Sequence, residues 1–170
     1  MRNSKYKIDE RFLKRFSPKT FLDKEIDDED LLSLIEAASS SPSCFNEQPW
    51  IFVRGKKEDF VSILADANAQ WAKDASQFLF VCSRPNFHRN NKINSWHSFD
   101  SGTAMGYLIL QALDRDIYVH PMAGFDASKA KEMFSLHEFE CHAVLALGYT
   151  QEEHSMSSRK DLNECIIDRR

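Results

Sequence analysis

Residues 100–114, DSGTAMGYLILQALD, constrain the fold more than any other stretch. They read as a helix whose small and apolar side chains lie on every side. A helix at the surface would keep one polar face, so this one belongs in the middle of the fold or at an interface. Two short apolar runs, Phe78 to Cys82 and His142 to Leu147, have the length and composition of buried strands. Trp50 to Val53 and Ile117 to His120 read as further strands. A helix over Asp28–Ser39 carries Leu31, Leu32, Leu34 and Ile35 on one face. Asp27 or Asp28 can cap it, acidic residues fill its first turn, and Pro42 helps to end it. Lys56 to Leu64 and Ser128 to Phe134 complete the helices. Mixed helices and buried strands around one apolar helix predict an α+β or α/β sandwich. The whole chain, residues 1–170, reads as a single domain, because that length suffices for one sizeable core.

Composition removes several classes of function. The formal net charge is -4 and no basic block stands out, which argues against nucleic-acid binding. No apolar run approaches the ~20 residues of a membrane-spanning helix, and the first residues are too polar for a signal peptide. The expected location is cytoplasmic. Cys44, Cys82, Cys141 and Cys165 are widely spaced and form no CxxC, so free thiols are expected rather than a zinc site or a disulfide framework. With five glycines and neither GxGxxG nor GxxxxGK[ST], a glycine loop cannot cradle a phosphate. Any nucleotide must be held by side chains.

Four segments could carry chemistry. In Arg15-Phe-Ser-Pro-Lys-Thr-Phe21, the residues Arg15, Ser17 and Lys19 alternate and share one side of an extended chain. They suit a phosphorylated ligand, or equally a solvated basic segment before a helix, and the segment alone favours the second. The stretch Ser41 to Trp50 offers Ser43 and Asn46 on a path stiffened by two prolines, either as a binding loop or as an ordinary turn. In His120-Pro-Met-Ala-Gly-Phe-Asp126, Gly124 either admits a flat ligand or permits a turn. The tail carries Arg159 and Lys160. Neither a Ser-His-Asp nor a Cys-His arrangement is evident, so no catalytic side chain is assigned.

Together these segments resemble the nitroreductase-like family, in the family's order from Arg15 to about Leu162. RFSPKTF is similar to its early R-x-S-x-K/R-x-F. Pro42, Ser43, Asn46, Gln48, Pro49 and Trp50 resemble its PS-x-x-N-x-QPW. Asn68, Trp71, Asp74 and Ala75 look like the segment before its next strand. Asp100, Gly102 and Ala104 resemble its D-x-G-x-A helix start, followed by Leu110-Gln111-Ala112. Pro121, Gly124, Phe125 and Asp126 resemble its P-x-x-GFD turn, and Gly148 the glycine ending its last core strand. Ala123 stands where many members have an acidic residue; the polar stretch from about Arg84 to Ser98 reads as a loop or an irregular insertion, and its part from His88 to Trp96 matches nothing in the family pattern.

The resemblance implies a mostly antiparallel central sheet flanked by helices, in an intertwined homodimer with FMN at the interface. It implies that Arg15 meets the phosphate, that Ser17 helps to hold the cofactor and that Lys19 lies near the pyrimidine edge. It implies that Arg159 and Lys160 close the phosphate site. Pro42, Ser43, Cys44 and Asn46 would wrap the ring from the other subunit. Asn68 would bond the ring's polar edge, with the backbone of Ala123 and Gly124 near N5. NADH or NADPH would reduce the flavin, and a nitroaromatic, quinone or related conjugated acceptor would take the electrons in a second step at the same site. A flavin-binding or sensing homodimer without turnover, or a structural homodimer without FMN, are the competing readings. His120 is expected to be packed and hydrogen-bonded, and Phe87, Trp96 and Phe99 to pack in the core rather than line an acceptor pocket.

Overall fold

A computed structural model describes residue 4, residues 6–153 and residues 157–169. A four-stranded antiparallel sheet lies between two layers of helices. Its strands are β1 (Trp50–Val53), β2 (Gln77–Ser83), β3 (Tyr118–Met122) and β4 (Glu140–Gly148), in the order β1-β2-β4-β3. The two central strands are covered on both faces, so both read as continuous apolar runs. Leu79 and Val81 of β2 and Leu145 and Leu147 of β4 enter one core. Phe78, Phe80, Val144 and Ala146 enter the other.

The first core holds α2 (Asp28–Ser39) and α5 (His97–Leu113). Leu31, Leu34 and Ala38 of α2 pack with Ala104, Leu108 and Ala112 of α5 over the sheet. The small residues at 104 and 112 let α5 approach closely. Asp27 is the cap of α2, accepting from the Asp30 amide at 2.7 Å. The second core collects α3 (Lys57–Ile63), α4 (Asp66–Ala72) and α6 (Ala127–Met133) around Phe60, which stacks on Phe78 and contacts Phe80 and Phe134. A short helix α1 (Glu10–Lys14) precedes these layers and buries none of its side chains.

Several element boundaries differ from the sequence reading. Strand β3 continues through Pro121 to Met122 rather than stopping at His120. It is an edge strand, where a missing N–H costs no ladder bond. Helix α5 starts at His97, three residues before Asp100, because Asn94 caps the preceding turn: its carbonyl accepts from the His97 amide and its Oδ1 from the Trp96 amide. The helices α1 and α4 were not anticipated, since α1 lacks an apolar face and α4 has no side-chain cap. Trp96 and Phe99, expected in the core, are 55% and 68% exposed, because the face of α5 that carries Phe99 turns away from the sheet. The four cysteines are free, as expected, although β2 and β4 bring the sulfurs of Cys82 and Cys141 to 3.8 Å. No helix among the described residues is long and apolar enough to cross a membrane.

Candidate functional site

The segment after α1 is held in place from several sides. Phe16 and Pro18 are buried, with Phe16 edge-on to Tyr118 at 5.0 Å. The Pro18 carbonyl accepts from Nδ1 of His120 at 2.8 Å, and the His120 ring lies 4.4 Å from Trp71. One oxygen of Glu152 accepts from the amides of Lys19 and Thr20 and from the Thr20 hydroxyl, at 2.8, 3.0 and 3.0 Å. Burial pushes the Glu152 carboxyl up, but these hydrogen bonds outweigh it and hold the group below its ordinary value. Glu152 lies 133 positions from Lys19, and nothing in the sequence links the two.

The side chains of this segment form a cationic corner. Arg15 is half-buried and its Nη1 donates to the Ser17 hydroxyl at 3.4 Å. Burial lowers the Arg15 pKa first, and the charge of nearby Arg159 lowers it further. Arg159 itself donates to the carbonyls of Ser157 and Ser158. Among the described residues neither arginine has a carboxylate partner. Half-buried Arg15 is repelled by the charge of exposed Arg159, with no acid among the described residues to offset it, and an anion between them would remove that cost. Lys160 is exposed on the same tail.

The turn after β3 is held by the start of α4. The Gly124 carbonyl accepts from the Ala65 amide at 3.0 Å and from the Asn68 side-chain amide at 3.3 Å. A Cβ at Gly124 would sit 3.0 Å from that Asn68 nitrogen, and the glycine's φ is not positive. Glycine is therefore kept for close approach rather than for a left-handed turn, and the near neighbour it admits is Asn68. Asn68 and Trp71 are spaced i, i+3 on α4 and share a face, so Trp71 ties Asn68 to His120 and to the Arg15–Lys19 segment. Ala123 and Gly124 are both exposed.

The Pro42–Asn46 segment stands apart. Among the described residues no hydrogen bond or ring contact joins it to Arg15, Lys19 or Gly124 in the same chain. It is a tight turn in which Phe45, Asn46 and Gln48 take left-handed φ values of 54°, 57° and 51°. Non-glycine residues in that region cost of order 1 kcal/mol or more each, and such strain collects at binding sites. Ser43 Oγ accepts from the Gln48 amide at 3.0 Å, and the Cys44 amide donates to Oδ2 of buried Asp100 at 3.0 Å. Asp100 thus anchors the turn to α5. Replacing it with Ala would orphan that amide and is expected to cost about 2 kcal/mol, or about 4–8 °C in Tm. Asp100→Asn, which keeps an acceptor oxygen, should recover most of the loss. Thermal melts of the two variants check this, and equal melting of both would remove the anchoring role.

A second polar cluster lies at the end of β2. The buried Ser83 hydroxyl sits 2.6 Å from Nδ1 of His97 and 2.6 Å from Nε2 of His142, donating to one ring and accepting from the N–H of the other. Burial, then the neighbouring His97, pulls the His142 pKa down. His120 is lowered too, first by burial and then by Lys19 and Arg15, against its bond to Pro18 and the charge of Glu152. Both rings stay neutral in the folded chain at a pH where the unfolded chain protonates them. The unfolded state then binds more protons, so this stability is complete above about pH 6.5 and is lost as the pH falls through the lowered folded-state values. Tm should be lower at pH 5.5 than at pH 7.5. A higher Tm at pH 5.5 would reverse the assignment for both histidines.

Comparison with known proteins follows the same outline. The nitroreductase family model matches residues 13–66 and 54–149, well over half of the chain. A solved oxidoreductase described as containing FMN is 37% identical, covers 89% of this chain and 81% of its own, and superposes with a TM-score of 0.83. A Streptococcus pyogenes serotype M6 protein named "Putative NAD(P)H nitroreductase" is 26% identical over 193 residues, covering 92% of this chain and 96% of that protein. The structure of a nitroreductase family protein from Streptococcus pneumoniae TIGR4 superposes with a TM-score of 0.84 at 23% identity, covering 94% and 98%, a likeness of fold.

Proposed function

Because this chain belongs to the nitroreductase family, we propose that its cationic corner holds FMN and that it uses NADH or NADPH to reduce a small conjugated acceptor. It is an oxidoreductase, and the observation that carries the cofactor reading is half-buried Arg15, which has no carboxylate partner among the described residues and feels the charge of Arg159. A phosphate group carrying close to two negative charges fits that corner, and the residues present suit the cofactor. Arg15, Ser17, Arg159 and Lys160 would hold the phosphate end. Lys19, whose backbone is pinned by Glu152, would offset the negative charge gained at the pyrimidine edge on reduction. Asn68 would bond the ring's polar edge, and Ala123 and Gly124 would present exposed backbone to its centre. When bound, FMN supplies two-electron transfer from a nicotinamide to an acceptor, such as a nitroaromatic or a quinone, at one site. The chain's side chains need only bind, orient and stabilise charge, which agrees with the neutral, packed state of His120.

The strained Pro42–Asn46 turn belongs in this reading to the site of a second copy. Pro42, Ser43, Cys44 and Asn46 would wrap the ring held by the partner. Two features support a homodimer. Phe99, Gly102, Thr103, Gly106, Tyr107 and Leu110 line one face of α5 at helical spacing, with Phe99 68% and Tyr107 43% exposed. An apolar cavity of about 420 Å³ on that face is lined by Phe12, Arg15, Gly106, Tyr107 and Leu110 among others, next to the cationic corner. An absorbance spectrum of the purified protein before and after anaerobic NADPH tests the function. Flavin bands that bleach and return with an acceptor are expected. Bands that persist would leave a flavin-binding protein without turnover, and a colourless protein that takes up no FMN would remove the reading.

A further inference from the structure

The polar stretch between β2 and α5 is a built turn. The Phe87 amide donates to the Lys92 carbonyl and the Asn91 amide to the Phe87 carbonyl, both at 2.8 Å. Asn86 bridges to Ile93 and donates from its side chain to Asn91 Oδ1 at 3.2 Å. Glu47 clamps the turn to the Pro42–Gln48 segment by accepting from the His88 amide. The result sets the Arg89 guanidinium over two phenyl faces, 4.4 Å from the Phe45 ring and 5.2 Å from the Phe87 ring, which are themselves 6.0 Å apart. Arg89 is exposed, and among the described residues it has no ion pair or hydrogen bond. A guanidinium held against aromatic rings with no acid partner among the described residues keeps N–H donors open to a planar carboxylate. Phe45 beneath it is 74% exposed on the strained turn assigned above to the flavin ring.

We propose that Arg89 is a specificity determinant that favours conjugated acceptors carrying a carboxylate or similar anion, aromatic acids above all. Phe45 and Phe87 receive the ring and Arg89 receives the acid. The proposal rests on the flavin reading, since that reading puts Phe45 beside the acceptor. The 2′-phosphate of NADPH is another anion that such a cation could meet, and the test separates the two.

With FMN-loaded protein, 4-nitrobenzoate and 4-nitrobenzamide serve as an anionic and a neutral acceptor of similar shape. The ratio of their kcat/KM values should fall roughly ten-fold in Arg89→Ala, the loss of one charge-assisted pair, and less in Arg89→Lys. Benzoate, which cannot be reduced, should bind the FMN-loaded parent in a calorimetric titration and bind Arg89→Ala roughly ten-fold more weakly. An unchanged ratio with unchanged benzoate binding overturns the proposal while leaving the flavin enzyme intact. A change confined to the preference for NADPH over NADH also overturns it, by giving the cation to the reductant. A parent that oxidises NADPH with neither acceptor overturns the underlying reading and this proposal together.

Discussion

Arg15→Ala is expected to release FMN while leaving the melting temperature of the cofactor-free protein unchanged or slightly raised. In the folded chain Arg15 is half-buried near Arg159, and among the described residues its side chain makes one long hydrogen bond, to Ser17. Removing it relieves the repulsion by Arg159 and breaks no ion pair among the described residues, so the apo fold loses little beyond the long bond to Ser17. In the complex the same change strips a phosphate of a charge-assisted donor, worth about 2–3 kcal/mol, or on the order of a hundred-fold in Kd. The contrast between the two states is the informative quantity. Dialysis of the variant should leave it colourless where the parent stays yellow, and the Tm gained on adding FMN should shrink. Arg15→Lys should lie between, because an ammonium keeps charge but loses the planar fork. An apo Tm falling as far as the holo Tm would show that Arg15 serves the fold instead.

How much of this was legible before the fold was known differs by the kind of signal. Helix α2 and strand β1 were readable close to their observed bounds, since a capping acid, Asp27 or Asp28, and a clear apolar period mark the first and turn residues bound the second. The buried strands β2 and β4 were readable as apolar runs, but their pairing depends on distant segments and set Cys82 opposite Cys141 without any local sign. Arg15, Ser17 and Lys19 were visible as an alternating set, yet the acid that pins the backbone at Lys19 and Thr20, Glu152, comes from the other end of the chain. Likewise Asn68 was visible only through resemblance, because its partner is a backbone carbonyl at Gly124, 56 positions away. The turn that carries Arg89 looked like featureless polar chain. Its order comes from side-chain-to-backbone bonds and a clamp from Glu47, which leave no hydrophobic period to read.

The exposed face of α5 supports the second large effect. Gly102 and Gly106 lie one helical turn apart on it, and a Cβ added at either meets nothing within 4 Å. In an isolated chain, glycine at these positions therefore serves no packing purpose and costs helix stability, roughly 0.5–1 kcal/mol relative to Ala. The cost makes sense if another surface comes close to the helix there, as a second copy would. Gly102→Gln with Gly106→Gln places two long neutral side chains on that face without adding charge beside Arg15. The folded single chain should melt no lower than the parent chain would alone. Association should weaken by roughly a hundred-fold or more, because each overpacked side chain at a close interface costs on the order of 1–3 kcal/mol. Sedimentation velocity at micromolar concentration should then show a dimer for the parent and a monomer for the double variant. Retained FMN should fall in step, since in the proposed reading the turn at Pro42–Asn46 would wrap the cofactor held by the partner. A double variant that stays dimeric and yellow would place the interface on another face. A variant that becomes monomeric yet keeps its flavin would confine the whole site to one chain and remove the second copy's part in it.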